Sequence, residues 1–522
     1  MHKDIDLDIS ELLKKHNIKN ITDDSRLVNS QSLFLAYKGI NLDRRDFIEN
    51  IINNKSLIDI IILKDIDNIE AHGNFDYIDK NQNIIIINYY DLYNQVGFIA
   101  KNFYNNIIND FNLTGVTGTN GKTSIVYLLT KCMQKLGMQA EFLGTLSNNY
   151  NAINTTPGAI QIQKILQDFK SQQVLNINME ASSHALSQNR LQCLEFNTVI
   201  FTNLSHDHLD YHKDLNDYFL AKSKLFDKPY IKQNTVIIIN HDDKYGQELL
   251  EICIKNKIKN KIISYGSKAG FLVLQNSNIN IDKLNLNYII FDEYQVEKNK
   301  TLVNIELNIK LNIKQQISKS KYKLESKLMG KFNIYNLLAV IGVLLNNNFK
   351  IEDILSKLSE VGDIPGRMQA ITSNHITAYV DYAHTPDALE NILQEFAQFK
   401  KNNKIICVFG CGGDRDKLKR PKMGKIACKY ADKVIVTDDN PRNEDARKII
   451  VDIIKELSQD EQSKIIIEHD RALAIQKAIK LAKINDIIVI AGKGHEEYQI
   501  KGENKHYFSD YVTVKNLLNQ GN

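Results

Sequence analysis

The decapeptide GVTGTNGKTS, residues 115–124, narrows what the surrounding chain can fold into. An apolar stretch over residues 111–116 leads into it, and Ile125, Leu128, Leu129, Met133 and Leu136 follow at helical spacing as far as Gly137. Strand, glycine loop and helix in that order make a phosphate cradle. Glycines let the backbone amides curl around phosphate oxygens, and the helix points its positive N-terminal end at the same charge. In such a loop Lys122 reaches the outer phosphates of a nucleotide and the Thr123 hydroxyl serves Mg²⁺. The match to the common pattern is imperfect, because position 116 is Val116 and the glycine stands one residue earlier, at Gly115. Gly118, Gly121, Lys122 and Thr123, all present between strand and helix, outweigh that mismatch.

A chain of 522 residues exceeds one ordinary core, and its length suggests about three or four domains. Apolar residues at 43% and charged residues at 25% are ordinary for a globular protein and exclude disorder as the default. A net charge of +4 over this length is too small to point to nucleic acid or an anionic membrane. Six cysteines (132, 193, 253, 407, 411 and 428) lack the paired spacing of a zinc site or disulfide framework and read as reduced, buried thiols. The N-terminal MHKDIDLDIS has no signal-like apolar region, and no apolar run nears the roughly 18 residues that span a bilayer. A cytoplasmic protein without membrane insertion is expected.

Within residues 1–101, the runs SLFLAYKGI, DIIILKD and NIIIINYY between polar turns predict a small α/β domain, with DSRLV feeding a buried strand. Residues 102–347 hold the phosphate loop. There, NINMEASSHAL and TVIFTNLSHDHLDYH are strands ending in polar clusters, which an open parallel sheet would bring to the loop. Val303, Ile305, Leu307, Ile309 and Leu311 alternate with polar residues, predicting a half-buried antiparallel strand over residues 302–313. In residues 348–522 the strands KIICVFG, DKVIVTDDN, SKIIIEHD and DIIVIAGKG alternate with helical patterns, the rhythm of a doubly wound parallel sheet.

Three groups of polar residues stand out. Glu180 ends the strand NINME, where a lone carboxylate is ordinarily a solvated cap. Ser182, Ser183, His184, Gln188 and Arg190 beside it are more than a cap needs. His206, His208 and His212, with Asp207 and Asp210, have a spacing like that of a metal cluster. They lack the HExxH arrangement of zinc proteases, so one histidine near Mg²⁺ is the more modest expectation. Lys222, judged by its spacing alone, is a solvated helical lysine. In the last region Arg415, Asp438, Asp439, Asn440, Arg442, Gly492, His495 and Glu496 follow three strands. Guanidinium grips carboxylate and carboxylate grips ammonium, so this set suits a zwitterion; a surface salt-bridge network is the alternative.

TGTNGKT, NTTPG, MEASSHAL, FTNLSHDHLDYH, YFLAKSKLF, GKFNIYNLLA, PGRMQ, VDYAHTPDALEN, FGCGGDRDKLKRP, DDNPR and AGKGHE together resemble, in kind and order, the motifs of the Mur ligases. The likeness spans about residues 20–515 and is strongest to the tripeptide-forming members. It implies an α/β enzyme of three domains: an N-terminal one for UDP, a central P-loop ATPase and a C-terminal Rossmann-like one for the incoming amino acid. The implied reaction is ATP-dependent amide formation in peptidoglycan synthesis. The D-glutamyl carboxylate of UDP-MurNAc-L-Ala-D-Glu is phosphorylated, and an amine then attacks the acyl phosphate. A monomer working with Mg²⁺ and ATP is implied.

By the same resemblance Lys122, Glu180, His208 and Lys222 are catalytic. Thr123, Glu180 and His208 serve Mg²⁺ together with Lys222, carbamylated by CO₂ into a carboxylate-like anion. Gly118, Thr119, Asn120, Gly121, Lys122, Thr123 and Ser124, with Asn333, Asn336, Arg367 and Asp381, match nucleotide contacts, and His384 lies in the same motif as Asp381. Asn154, Thr155, Thr156, Ser182, Gln188 and Arg190 match muramoyl-dipeptide contacts, and Ser25 with Arg26 the uridine end. Asp43, Arg44 and Arg45 depart from the usual Asp-Gly-His, and the two arginines are candidates to face the diphosphate. Arg415, Asp439, Asn440, Pro441, Arg442, Gly492 and Glu496 match the amino-acid pocket. DNPR resembles the meso-diaminopimelate version, because a buried guanidinium compensates a far carboxylate and repels the ammonium of L-lysine. The alternatives are the same reaction with L-lysine, a folate- or cyanophycin-type ligase, and a non-catalytic nucleotide-binding partner of cell-wall enzymes.

Overall fold

A computed structural model describes residues 9–520 apart from 41, 55, 80–82, 148–153, 257, 277–285, 298–299, 311–315, 374–375 and 401–402. Its strands form three large sheets and one hairpin. The first sheet runs Asn20–Thr22, Ser32–Ala36, Ile60–Ile66, Ile84–Tyr90 and Phe75–Asp79, parallel except for the last strand. Leu33 to Ala36 and Ile60 to Leu63 are buried on both faces, which is why they read as unbroken apolar runs.

The nine-stranded central sheet has Asn112–Thr117, the strand entering the phosphate loop, between Phe196–Phe201 and Asn176–Glu180. All three are parallel, so their carboxyl ends, including Glu180 and residues 202–203, come to one edge. The other side of this sheet continues through Ile231–Asn240, Ile262–Ser267 and Asn287–Glu297, then turns antiparallel with Lys300–Lys310 and Gln316–Ser326. Lys300–Lys310 buries every second residue, as the alternation predicts; residues 311–313 of that expectation lie outside the described residues. The helix Lys331–Asn346 is buried nearly all round, packed between the central sheet and the phosphate-loop helix Lys122–Lys135.

In the third sheet the order is Gln369–Ser373, Ile376–Asp381, Ile487–Ala491, Ile405–Phe409, Lys433–Val436 and Ile465–Ile467, parallel except for the first pair. The strands before Gly492, Arg415 and Asp438 are therefore neighbours. Gln369–Ser373 and Ile376–Asp381 add to the four strands read from sequence. The six cysteines are buried and free. Among the described residues no helix is long and apolar enough to cross a membrane.

Three buried cations brace the third sheet. Arg471 and Asp510, both 0% exposed, are joined by two bonds of 2.8 Å, and Arg471 also donates to Ala491 O at 2.9 Å. Arg420 binds Glu444, Asp452 and Gly412 O. Lys493 is the third. Replacing Arg471 by methionine should lower stability by about 3–5 kcal/mol, because Asp510 stays buried without its countercharge. Urea unfolding of the variant beside the parent protein measures this, and a loss below about 1 kcal/mol would show the pair to be dispensable.

Candidate active site

Gly118 and Gly121 have φ of +141° and +89°, in the region open to glycine. A Cβ on Gly118 would stand 1.9 Å from Thr202 Oγ1, and one on Gly121 2.7 Å from Asn336 Oδ1. The loop is clamped from the adjacent strand end. Thr119 N donates to Asn203 O at 2.8 Å, Asn120 N to Asn203 Oδ1 at 2.9 Å, and Thr202 Oγ1 to Asn120 O at 2.6 Å. Thr202 and Asn203 were missing from the sequence reading, although FTNLSHDH contains them. Ser124 lies buried in the first turn of the helix.

Lys122 donates to Gly118 O and Thr119 O, both at 2.8 Å, and Lys222 donates to the same Gly118 O at 2.8 Å. Lys222 is 1% exposed and stands 4.4 Å from the Tyr218 ring. Burial, and then the Lys122 charge, hold its ammonium well below the usual lysine range, with Asp207 opposing. Its spacing suggests a solvated lysine; the structure corrects that, because the helix Leu215–Ser223 turns this residue into the sheet edge. Lys122 is also shifted down, by burial first.

Thr123 Oγ1 lies 3.0 Å from both oxygens of the buried Glu180 and accepts from Arg367 Nη2 at 3.2 Å. Glu180 Oε1 also takes Thr145 N at 2.7 Å. Arg367 comes from the third sheet's side, 4.5 Å from the Tyr382 ring, and its buried Nε has no partner. His208 N donates to Asp207 Oδ1 at 3.0 Å, and burial keeps its imidazole well below the usual range, hence neutral and able to act as a ligand. Burial would raise Asp207, but His208, His384 and Lys419 outweigh it and hold that carboxyl below the ordinary range.

His212 and His184 pack near His208, the His184 ring lying 4.9 Å from that of His208 and 5.8 Å from that of His212, but His206 and His212 face carboxylates of their own. His206 meets Asp416 at 2.8 Å and His212 meets Asp217 at 3.2 Å. Among the described residues no three His, Cys, Asp or Glu side chains gather as a metal cluster. Thr123 and Glu180 supply the oxygen donors a hard cation takes, so the donor set fits Mg²⁺. Lys222 can join it only as an oxyanion.

Asn336 Nδ2 donates to Asn333 Oδ1 at 3.0 Å, and Asn333 Nδ2 to Met329 O at 2.7 Å. Asp381 accepts Met368 N and Ala383 N, each at 2.7 Å, and burial raises its carboxyl to about 6. His384 lies 3.9 Å from Asp207, a contact between the loops that follow the second and third sheets' strands. Asn120 and Ser205 both reach Asp387, at 2.9 and 3.3 Å.

Thr156 Oγ1 donates to Glu180 O at 2.8 Å and to Ser182 Oγ at 3.1 Å, while Arg190 donates to Thr156 O at 3.2 Å and to Gln188 Oε1. Thr155 lies 3.4 Å from Thr145, and Asn154 is exposed beside it. These residues thus group around the Glu180 strand end. Ser25 and Arg26 sit apart, on the short turn Ser25–Leu27 of the first sheet, where Arg26 pairs with Asp24 at 2.6 Å. The arginine pair is divided: Arg44 binds Asp23 at 3.0 Å and stacks 4.4 Å from Tyr37, whereas Arg45 folds back on Asp43 at 2.6 Å.

At the third sheet's edge Arg442, with φ of +52°, donates to Gly413 O at 2.7 Å and Asn440 O at 3.4 Å, and Arg415 donates to Asp414 O at 3.1 Å. Burial, and next the charge of Arg415, push Arg442 below the usual guanidinium range. Among the described residues neither arginine pairs with a carboxylate. Pro441 is buried between Asn440 and Arg442, and the Cβ that Gly492 lacks would stand 2.8 Å from Asp439 Oδ2. Asn440 Nδ2 donates to Glu496 Oε2 at 3.0 Å.

Residues 116–344 match the Mur ligase middle domain and residues 366–494 the Mur ligase glutamate ligase domain. The chain is 36% identical over 518 residues to the UDP-N-acetylmuramoyl-L-alanyl-D-glutamate–2,6-diaminopimelate ligase of Aquifex aeolicus, covering 98% of this chain and 95% of that one. To the ligase of the same name from Fusobacterium nucleatum it is 36% identical over 515 residues, covering 97% and 94%. A solved structure bearing that name superposes with a TM-score of 0.60 at 29% identity, covering 97% and 95%. On these matches, which run through all three sheets, the chain belongs to the Mur ligase family.

Proposed function

We propose that the protein adds meso-diaminopimelate to the D-glutamyl carboxylate of UDP-MurNAc-L-Ala-D-Glu, with ATP, as a monomeric cytoplasmic enzyme of peptidoglycan synthesis. The observation that carries this reading is the charge pattern at the third sheet's edge. Among the described residues Arg415 and Arg442 pair with no carboxylate, while Asp439 and Glu496 are close enough to act on the Arg442 charge, as a diamine with a second carboxylate requires. A lysine ammonium would meet the two guanidiniums unfavourably. The names of the relatives support the same reading.

Residues 1–101 would hold the UDP end through Ser25 and Arg26, residues 102–347 the ATP, and residues 348–522 the amino acid, a division the three sheets support. The γ-phosphoryl group passes from ATP to the D-glutamyl carboxylate, releasing ADP. The amine then attacks the acyl carbon, and the tetrahedral intermediate expels phosphate as the nitrogen loses its proton. Lys122, on the loop, stabilises charge on the moving phosphoryl group, and Arg367, with a free buried Nε, is placed to add to it. Thr156, Ser182, Gln188 and Arg190 would orient the dipeptide carboxylate next to them. Thr123, Glu180, His208 and Lys222 would hold Mg²⁺, whose chemistry is charge neutralisation on the phosphates. Burial and the Lys122 charge favour the amine form of Lys222, which is nucleophilic toward CO₂: the new N–C bond would give a carbamate anion and release a proton, placing an anion beside Lys122.

Phosphate release from ATP, Mg²⁺ and UDP-MurNAc-L-Ala-D-Glu, followed with meso-diaminopimelate, with L-lysine and with no amine, tests the reading. Release should depend on diaminopimelate and be at least about a hundredfold slower with lysine. Lysine-dependent release would keep the ligase and overturn the pocket assignment. No release with either amine would favour a non-catalytic role.

A further inference from the structure

Lys493 has no part in the chemistry above, yet it is 0% exposed and among the largest fully buried side chains of the protein. A lysine is seldom enclosed unless its ammonium is satisfied. Here Nζ lies 3.1 Å from Asn440 Oδ1, 3.2 Å from Glu496 Oε2 and 3.5 Å from Asp439 Oδ1, and 5.7 Å from the Tyr498 ring. All three acceptors belong to the amino-acid pocket. The local chain is shaped for this. Lys493 stands between Gly492 and Gly494, with φ of +119° and +53°, and a Cβ on Gly494 would meet Gly366 O at 2.7 Å. Two glycine bends thus fold the side chain inward beneath the pocket.

The contacts also fix orientation. With Oδ1 taken by Lys493 and by Ile500 N at 3.0 Å, the Asn440 amide must present Nδ2 to Glu496. Lys493 is one ammonium shared by two carboxylates, so it does not by itself satisfy both, and one remains able to receive a ligand ammonium. Asp439 Oδ2, packed against the bare Cα of Gly492, is the oxygen not engaged by Lys493. Burial and the neighbouring Asp439 push the Glu496 carboxyl up, and Lys493 pulls it back.

We propose that Lys493 is a positioning residue of the amino-acid pocket, holding Asp439, Asn440 and Glu496 in the arrangement that receives the ammonium of the incoming diamino acid. This rests on the functional reading given above. In K493M, KM for meso-diaminopimelate should rise by about tenfold to a hundredfold, while KM for ATP and for the UDP-MurNAc dipeptide stay within about twofold of the parent. In K493A, ethylammonium in the assay should recover part of the lost affinity, since a free cation can occupy the vacated space. An unchanged KM for the diamino acid, or an equal rise in all three constants, would overturn the proposal. Should K493M fail to fold, K493Q, which keeps a hydrogen-bond donor, decides by the same ratio. If the parent enzyme uses L-lysine instead, the functional reading falls, and the ratio measured with lysine still settles the part played by Lys493.

Discussion

Replacing Lys222 with alanine should lower turnover by about two to three orders of magnitude, and formate or acetate should return a measurable part of it. Lys122 and Lys222 donate to one carbonyl oxygen, Gly118 O, so in the unmodified protein two basic groups crowd a single acceptor. A carbamate would reverse the sign of one of them, placing an anion beside Lys122 and adding an oxygen donor to Thr123 and Glu180. Alanine removes that anion and leaves room for a small carboxylate to take its place. Steady-state phosphate release, titrated with sodium formate and with sodium chloride as the ionic-strength control, separates rescue from a salt effect. Near-normal turnover of the variant without additive would rule out the carbamate. Equal stimulation by chloride would rule out the rescue.

The second large effect is expected at Arg442. In R442M, kcat/KM for meso-diaminopimelate should fall by about a hundredfold to a thousandfold, because the far carboxylate would lose the half-buried member of its two countercharges and keep the exposed one, Arg415. Activity with L-lysine should be unchanged or rise, since one of the two guanidiniums that repel its ammonium is gone. The ratio of the two specificity constants carries the test. A parallel fall with both amines would mean that Arg442 shapes the loop through Gly413 O and Asn440 O and does not read the substrate.

Much of this was legible before any coordinates. Apolar runs such as Ile60 to Leu63 marked a small α/β domain, and the structure buries that run throughout; the alternation from Val303 to Ile309 marked a half-buried strand and has the burial its pattern implies. The glycine loop announced a phosphate site because few other functions need glycines, lysine and threonine at that spacing. What stayed hidden depends on which strands lie side by side. Asn203 clamps the loop from more than eighty residues away, and only the parallel pairing of Phe196–Phe201 with Asn112–Thr117 brings it there. Spacing alone hides the burial of Lys222, which only the family resemblance singles out, and of Lys493, for one reason: a lysine in a helix or a turn is ordinarily solvated, and nothing in its immediate neighbours reveals a buried acceptor. Arg44 and Arg45, adjacent in sequence, were read as a pair, yet the bends around Asp23 and Asp43 send them to different carboxylates.

Arg420, Arg471 and Lys493 do more than brace the third sheet. Arg420 and Arg471 are each closed on carboxylates of the scaffold, Glu444 with Asp452 and Asp510, so the strength of the frame is not borrowed from any occupant. Scaffold and reader are thereby separable. If Arg415 and Arg442 read the amine as proposed, exchanging Arg415, whose guanidinium donates to its neighbour Asp414 O, would alter which amine is accepted without loosening that frame, whereas exchanging Arg442 would also remove its bonds to Gly413 O and Asn440 O.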